Sequence, residues 1–174
     1  MSVWRTQRTN FLLAFMALVL AGVVFWDRDQ VSTDEAASRR HNLFDAWRPD
    51  SLQTLDAKIA GKHYQLSRVP SEDGTRSWEL RYNGAEVAVD PQAVMSLLTT
   101  LEYAMFQRRV TQQTQELGLE KPSLSMKIGM GKLSYELRFG APAPAPAGAR
   151  YAQVSGGSRD TRRYVITSEL GNSV

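Results

Sequence analysis

The sequence predicts an α+β protein: an N-terminal transmembrane helix, then an antiparallel-rich curved β-sheet packed against one long α-helix. Three observations predict it. An unbroken uncharged and mostly apolar run occupies residues 11–26. Several later stretches alternate apolar and polar residues with period two and are joined by glycine-containing turns. One stretch, from Asp90 to Arg109, spaces its apolar residues as a helix does.

The apolar run is read as a signal-anchor. A spanning helix needs about 20 residues, with about 17–25 tolerated. Residues 11–26 reach that length once Thr9 and Asn10 are placed among the headgroups. Trp4 and Trp26 flank the run at the interfacial level that tryptophan favours. Arg5 and Arg8 precede it and Asp27, Arg28 and Asp29 follow it. Excess positive charge stays in the cytoplasm, so the amino terminus is expected inside and the rest outside, periplasmic or extracellular. Val19-Leu20-Ala21 is the competing reading, a small-residue cleavage site. Cutting there would leave a greasy new terminus, "GVVFW". An uncut anchor in the inner (cytoplasmic) membrane is therefore the expectation. The organisation that follows is 1–9 cytoplasmic, 10–26 transmembrane anchor, 27–49 exit and helical stalk, and 50–174 extracytoplasmic domain.

Composition narrows the function classes. The 174 residues contain no cysteine, which excludes disulfides, thiolate metal sites and a lipoprotein anchor. Net charge is +3, and two of the arginines precede the apolar run. The remainder is near neutral with its charges interspersed. That is not the coherent field a nucleic-acid surface needs, so no nucleic-acid partner is expected.

The elements follow in order. Residues 32–48 are expected as a helix, capped at Ser32 or Thr33 and stopped by Pro49. Leu43, Phe44 and Trp47 supply contacts near its end. "LQTLDAKIAGKHYQLSRV" alternates around Gly61, giving a bulged strand or two short ones. "SEDG" is a turn. "SWELRY" alternates Trp78, Leu80 and Tyr82, and Asn83-Gly84 signals a type I′ hairpin into "AEVAVD". Asp90 caps the long helix and Pro91 takes its first position. Val94, Leu97, Leu98, Leu101 and Met105 form its buried stripe, and it is expected to end near Arg108-Arg109. "QELGLEKP" is a short helical turn closed by a left-handed Gly118. Residues 124–130 and 133–139 form a hairpin across Gly129-Met130-Gly131. "APAPAPAGA" at 141–149 is expected as an extended solvated loop, unable to join a sheet or build a core. "RYAQVSG" and "RRYVITSEL" are the last strands.

That order of elements resembles the domain of unknown function 4340 family (DUF4340). The residues that carry the resemblance begin with the amino-terminal anchor and "LFDAWRPDSLQTLDAKIAGKHYQLSRV". They continue with Trp78-Glu79-Leu80 and "VDPQAVMSLLTTLEYAMFQRRV". Leu117-Gly118-Leu119 with Pro122 follows, where Leu117 stands in place of the family's tyrosine. The last are "LSYELRFG", "ARYAQVSG" and "RYVITSEL". The likeness runs from about residue 43 to 170. It implies a membrane-anchored extracytoplasmic module associated with ABC-transporter or gliding-type auxiliary systems, and it carries over no catalytic residue.

No reaction is expected from the side chains. His41 and His63 have no metal-ligand spacing, and no GxSxG elbow is present. Asp34-Glu35, Glu72-Asp73 and Asp27/Asp29 fall at caps, turns or the membrane exit. No catalytic residue, metal site or cofactor is expected. The function expected is a non-catalytic accessory or scaffold subunit whose partners are integral membrane proteins, ABC-transporter subunits among them, and the lipid bilayer. The alternative is a ligand- or glycan-binding module with Tyr64, Trp78 and Tyr82 as an aromatic platform.

Overall fold

The computed structural model describes residues 33–71, 76–111 and 116–167. The anchor at 10–26, the Glu72-Asp73 pair and Asp27/Asp29 lie outside them. Among the described residues no helix is long and apolar enough to cross a membrane.

Among the described residues nine strands form one antiparallel sheet. They are β1 (Leu52–Ile59), β2 (Lys62–Pro70), β3 (Arg76–Tyr82), β4 (Ala85–Val87), β5 (Phe106–Val110), β6 (Leu124–Met130), β7 (Leu133–Pro142), β8 (Arg150–Gly156) and β9 (Arg159–Ile166). Their spatial order is β4-β3-β2-β1-β6-β7-β8-β9-β5. Among the described residues two short α-helices accompany them, α1 (Thr33–Ser38) and α2 (Pro91–Glu102), with a 3-10 turn at Pro49–Ser51.

The hairpins follow the turn chemistry. Asn83 and Gly84 both have positive φ, 47° and 88°, as the type I′ turn requires. The alternation around Gly61 resolves into two long strands rather than one bulged strand. Ala60 and Gly61, at 48° and 81°, turn β1 back into β2.

The expected α+β arrangement, with one long helix across a sheet, is not what forms. Helix α2 has 12 residues and ends at Glu102, with Tyr103 as its C-cap. Residues that were expected to continue it become edge strand β5. There Phe106 pairs with Ile166 and stacks on Tyr164 at 4.3 Å between ring centroids. Pairing with β9 satisfies a row of backbone groups that would otherwise face water, and this outweighs the local helical pattern. Met105, expected on the buried stripe, is 56% exposed, whereas Val94, Leu98 and Leu101 are buried.

The helix expected over 32–48 covers only Thr33–Ser38. Residues 43–47, "LFDAW", are buried in the main core instead. Leu43 N–H donates to the Ala104 carbonyl at 2.8 Å, and the Phe44 ring meets Tyr135 edge-on at 5.1 Å. The apolar row from β2 through β8 faces this segment and α2, and together they form one cluster.

A second, smaller cluster joins Val110, Leu117, Leu119, Ala143, Ala149 and Val165. The alanine-proline stretch therefore departs from expectation. Pro142 pairs with Arg150 at the end of β7, and Ala143 and Ala149 are buried. Ala143 N–H donates to the Ala149 carbonyl at 2.8 Å. Small side chains suffice because they fill narrow space against Leu117 and Leu119. Gly118 is left-handed as expected, at φ 68°, and a Cβ there would lie 2.9 Å from Ala141 N. The helical turn expected before it is a plain turn.

Candidate functional site: an apolar groove under helix α2

Asp90 begins the site. Its Oδ1 accepts from Gln92 N–H at 2.9 Å, and Pro91 sits at the helix start where no N–H is needed. The cap sets α2 off from the end of β4 and brings Ala93, Val94 and Leu97 toward the sheet. Below them β1 supplies Leu55, Ala57 and Ile59, and β6 supplies Met126. Strands β2 and β3 supply Tyr64, Leu66 and Leu80, and Val89 closes the lip. The space between is a half-open groove of about 500 Å3. Its polar lining residues are Tyr64 and Asp90. Leu55, Ala57, Leu66 and Met126 are buried, and their alternation puts them on the core face of the sheet.

The candidate platform is brought together in part. Tyr64 and Tyr82 are cross-strand partners with ring centroids 5.0 Å apart. Only Tyr64 of the three lines the groove. Trp78 pairs with Arg68, whose guanidinium lies 5.6 Å from the indole centroid. Arg68 also donates to the Asp50 carbonyl at 3.3 Å. All three rings are half-buried, and Tyr64 and Trp78 pack against the main core. The anchor flanks Trp4, Arg5, Arg8 and Trp26 lie outside the described residues.

The histidines remain apart. His63 Nε2 lies 3.7 Å from Asp56 Oδ1 on the exposed side of the β1–β2 hairpin. His41 faces Phe106 at 6.3 Å between ring centroids. Among the described residues, no group of three histidine, aspartate or glutamate side chains is placed to hold a metal ion.

Sequence reasoning missed Asp45, which is 1% exposed. Its Oδ1 accepts from the Tyr135 hydroxyl at 2.6 Å, and its Oδ2 accepts from Ser158 N–H at 2.9 Å and from the Ser158 hydroxyl. Buried carboxylates are costly unless their lone pairs are met, and these are. Asp45 thus ties residues 43–47 to β7 and to the β8–β9 turn. A lone acid inside the apolar pentad "LFDAW" is the signal that marks it.

The fold is a single antiparallel sheet with an apolar groove between it and α2. The family model for the domain of unknown function (DUF4340) matches residues 78–161. This stretch runs from β3 into β9 and includes α2, Leu117-Gly118-Leu119 and the alanine-proline segment. No curated protein and no solved structure matches the chain.

Proposed function

We propose that the chain is a non-catalytic accessory or scaffold subunit of an envelope complex, held at a membrane by residues 10–26 and engaging a partner through the groove. The groove is the observation that carries this reading. Apolar surface converges there, with one tyrosine and one helix-capping aspartate at its rim. Such a lining gains free energy by excluding water from a partner's apolar side chains. Tethering in a shared membrane raises effective concentration, so a contact of this size suffices. The resemblance to DUF4340 supports an ABC-transporter-associated setting, with integral membrane proteins as partners. The charge flanks of the apolar run support an extracytoplasmic domain.

One observation favours a second reading, an extracytoplasmic ligand- or glycan-binding module. About 500 Å3 falls within the range of small-molecule pockets, about 300–1,000 Å3, and Tyr64, whose ring meets that of Tyr82, stands at its wall.

The test is purification of the full-length chain from crosslinked native membranes in mild detergent. A second membrane protein should co-purify in fixed ratio, and Leu97→Arg, which fills the groove with a charge, should release it. A chain that comes out alone ends the subunit reading. A small molecule retained by the wild type and lost from Leu97→Arg puts the binding-module reading first.

A further inference from the structure

The sequence holds two basic doublets, Arg108-Arg109 and Arg162-Arg163, separated by more than fifty residues. The fold places them side by side. Strand β5 pairs with β9, with Arg109 opposite Tyr164 and Val110 opposite Arg163. Arg109 and Arg162 therefore share the face that carries Tyr164. Arg108, opposite Val165, shares the other face with Arg163. Arg108 and Arg109 are exposed and Arg162 and Arg163 half-buried. The acid beside them on β9 is Asp160. Among the described residues, Arg108, Arg109 and Arg162 form no salt bridge, and Arg109 lies over the Phe106 ring at 5.8 Å.

Strand β5 is also a sheet edge. Its first residues are covered: Phe106 N–H donates to the His41 carbonyl at 3.1 Å, and Asn42 bridges Met105. Residues 107–109 are exposed and have no strand beyond them among the described residues. A charged residue on an edge blocks unwanted pairing, and one or two achieve that. Arg109 and Arg162 are like-charged diagonal neighbours on adjacent strands, which costs stability, so edge protection alone does not account for them.

We propose that the β5 edge receives an extended acidic segment of a partner protein, added as a tenth strand. Its backbone would pair with residues 107–109. Its successive side chains would point to opposite faces, where Arg109 and Arg162 on one face and Arg108 on the other offer guanidinium groups to carboxylates. The placement on both faces selects a strand over a flat anionic membrane, because one plane cannot meet arginines on opposite sides of a sheet. This surface lies at the far end of the sheet from the groove, and the proposal stands independently of what the groove binds.

Fluorescence anisotropy on the full-length chain in neutral detergent tests it. The probe is a labelled ten-residue peptide of glutamate and valine. Binding should weaken about tenfold or more in Arg108→Glu/Arg109→Glu, and should weaken with added salt. It should weaken similarly when alternate peptide amides are N-methylated, which keeps the charge and removes pairing. Leu97→Arg should leave it unchanged, which separates this surface from the groove. Circular dichroism checks the fold of the reversed chain, and Arg108→Gln/Arg109→Gln repeats the measurement if that chain does not fold. Equal binding by the charge-altered chain overturns the proposal. Equal binding of the N-methylated peptide does so too, as does engagement of phosphatidylglycerol vesicles without the peptide.

Discussion

The Tyr135 hydroxyl donates to Asp45 Oδ1 at 2.6 Å, and that hydroxyl's own oxygen accepts the Ala46 N–H at 3.2 Å. One phenol thus holds a buried carboxylate and a backbone amide, across 90 residues of sequence. Tyr135→Phe keeps the ring against Phe44 and removes both bonds. Leaving buried polar groups short of a partner costs about 1–3 kcal/mol. Chemical denaturation followed by tryptophan fluorescence should show a loss of that size. A loss below about half a kilocalorie would mean that water replaces the hydroxyl.

Gly157 sits beside this pair. Its φ is 68°, and a Cβ there would collide with Asp45 Oδ1 and the Tyr135 ring. Gly157→Ala should therefore destabilise by about 1–3 kcal/mol, from backbone strain and the displaced contact together. Gly84→Ala is the comparison. Its backbone is also left-handed, but a Cβ there meets nothing within 4 Å. The Gly157 change should cost more, and equal losses would show that strain alone acts at both sites.

Helix α2 gives a prediction with an internal control. Leu101 is 0% exposed and Leu98 6%, whereas Met95 is 57% exposed. Truncating either leucine to alanine should cost about 2–5 kcal/mol through lost transfer energy plus a cavity. Met95→Ala should stay within about half a kilocalorie. Similar losses at all three would mean that the helix is covered on both faces.

Local chemistry made the hairpins and the helix start legible. Asn83-Gly84 and the Asp90-Pro91 cap each act within a few residues, so their sequence signal is complete, whereas Gly61 marked a break without choosing between a bulge and a hairpin turn. The end of α2 was not legible. Residues 103–110 continue a helical pattern, and only pairing with Arg163, Tyr164, Val165 and Ile166 converts them to a strand. The "LFDAW" segment misled for a similar reason. Leu43, Phe44 and Trp47 fit a helix face, but Asp45 between them is explained only by Tyr135 and Ser158, which sequence spacing does not connect. Of the candidate site, Tyr64 and Leu97 were visible as apolar positions. The groove between them depends on how far the Asp90 cap lifts α2 from the sheet.

The alanine-proline segment yields the last prediction, because the burial of Ala143 and Ala149 departs from the solvated loop expected of it. Ala143 and Ala149 lie in the second cluster with Leu117, Leu119, Val110 and Val165. The Ala141 N–H donates to the Leu117 carbonyl at 2.8 Å, and a Cβ on Gly140 would collide with that carbonyl oxygen. Residues 117–119 are thus seated directly on the segment's entry. Replacing residues 141–149 by an equally long glycine-serine stretch removes two buried methyl groups and frees the backbone of the unfolded chain. Each buried methyl group carries about 0.8 kcal/mol, and added chain freedom brings the expected loss to about 2–4 kcal/mol. Changing only residues 144–148, which are exposed, to glycine and serine while keeping Ala143 and Ala149 should recover the methyl share of that loss. Denaturation midpoints of the two replacements against the wild type decide it. If the full replacement melts with the wild type, the second cluster contributes nothing and the segment is a spacer after all.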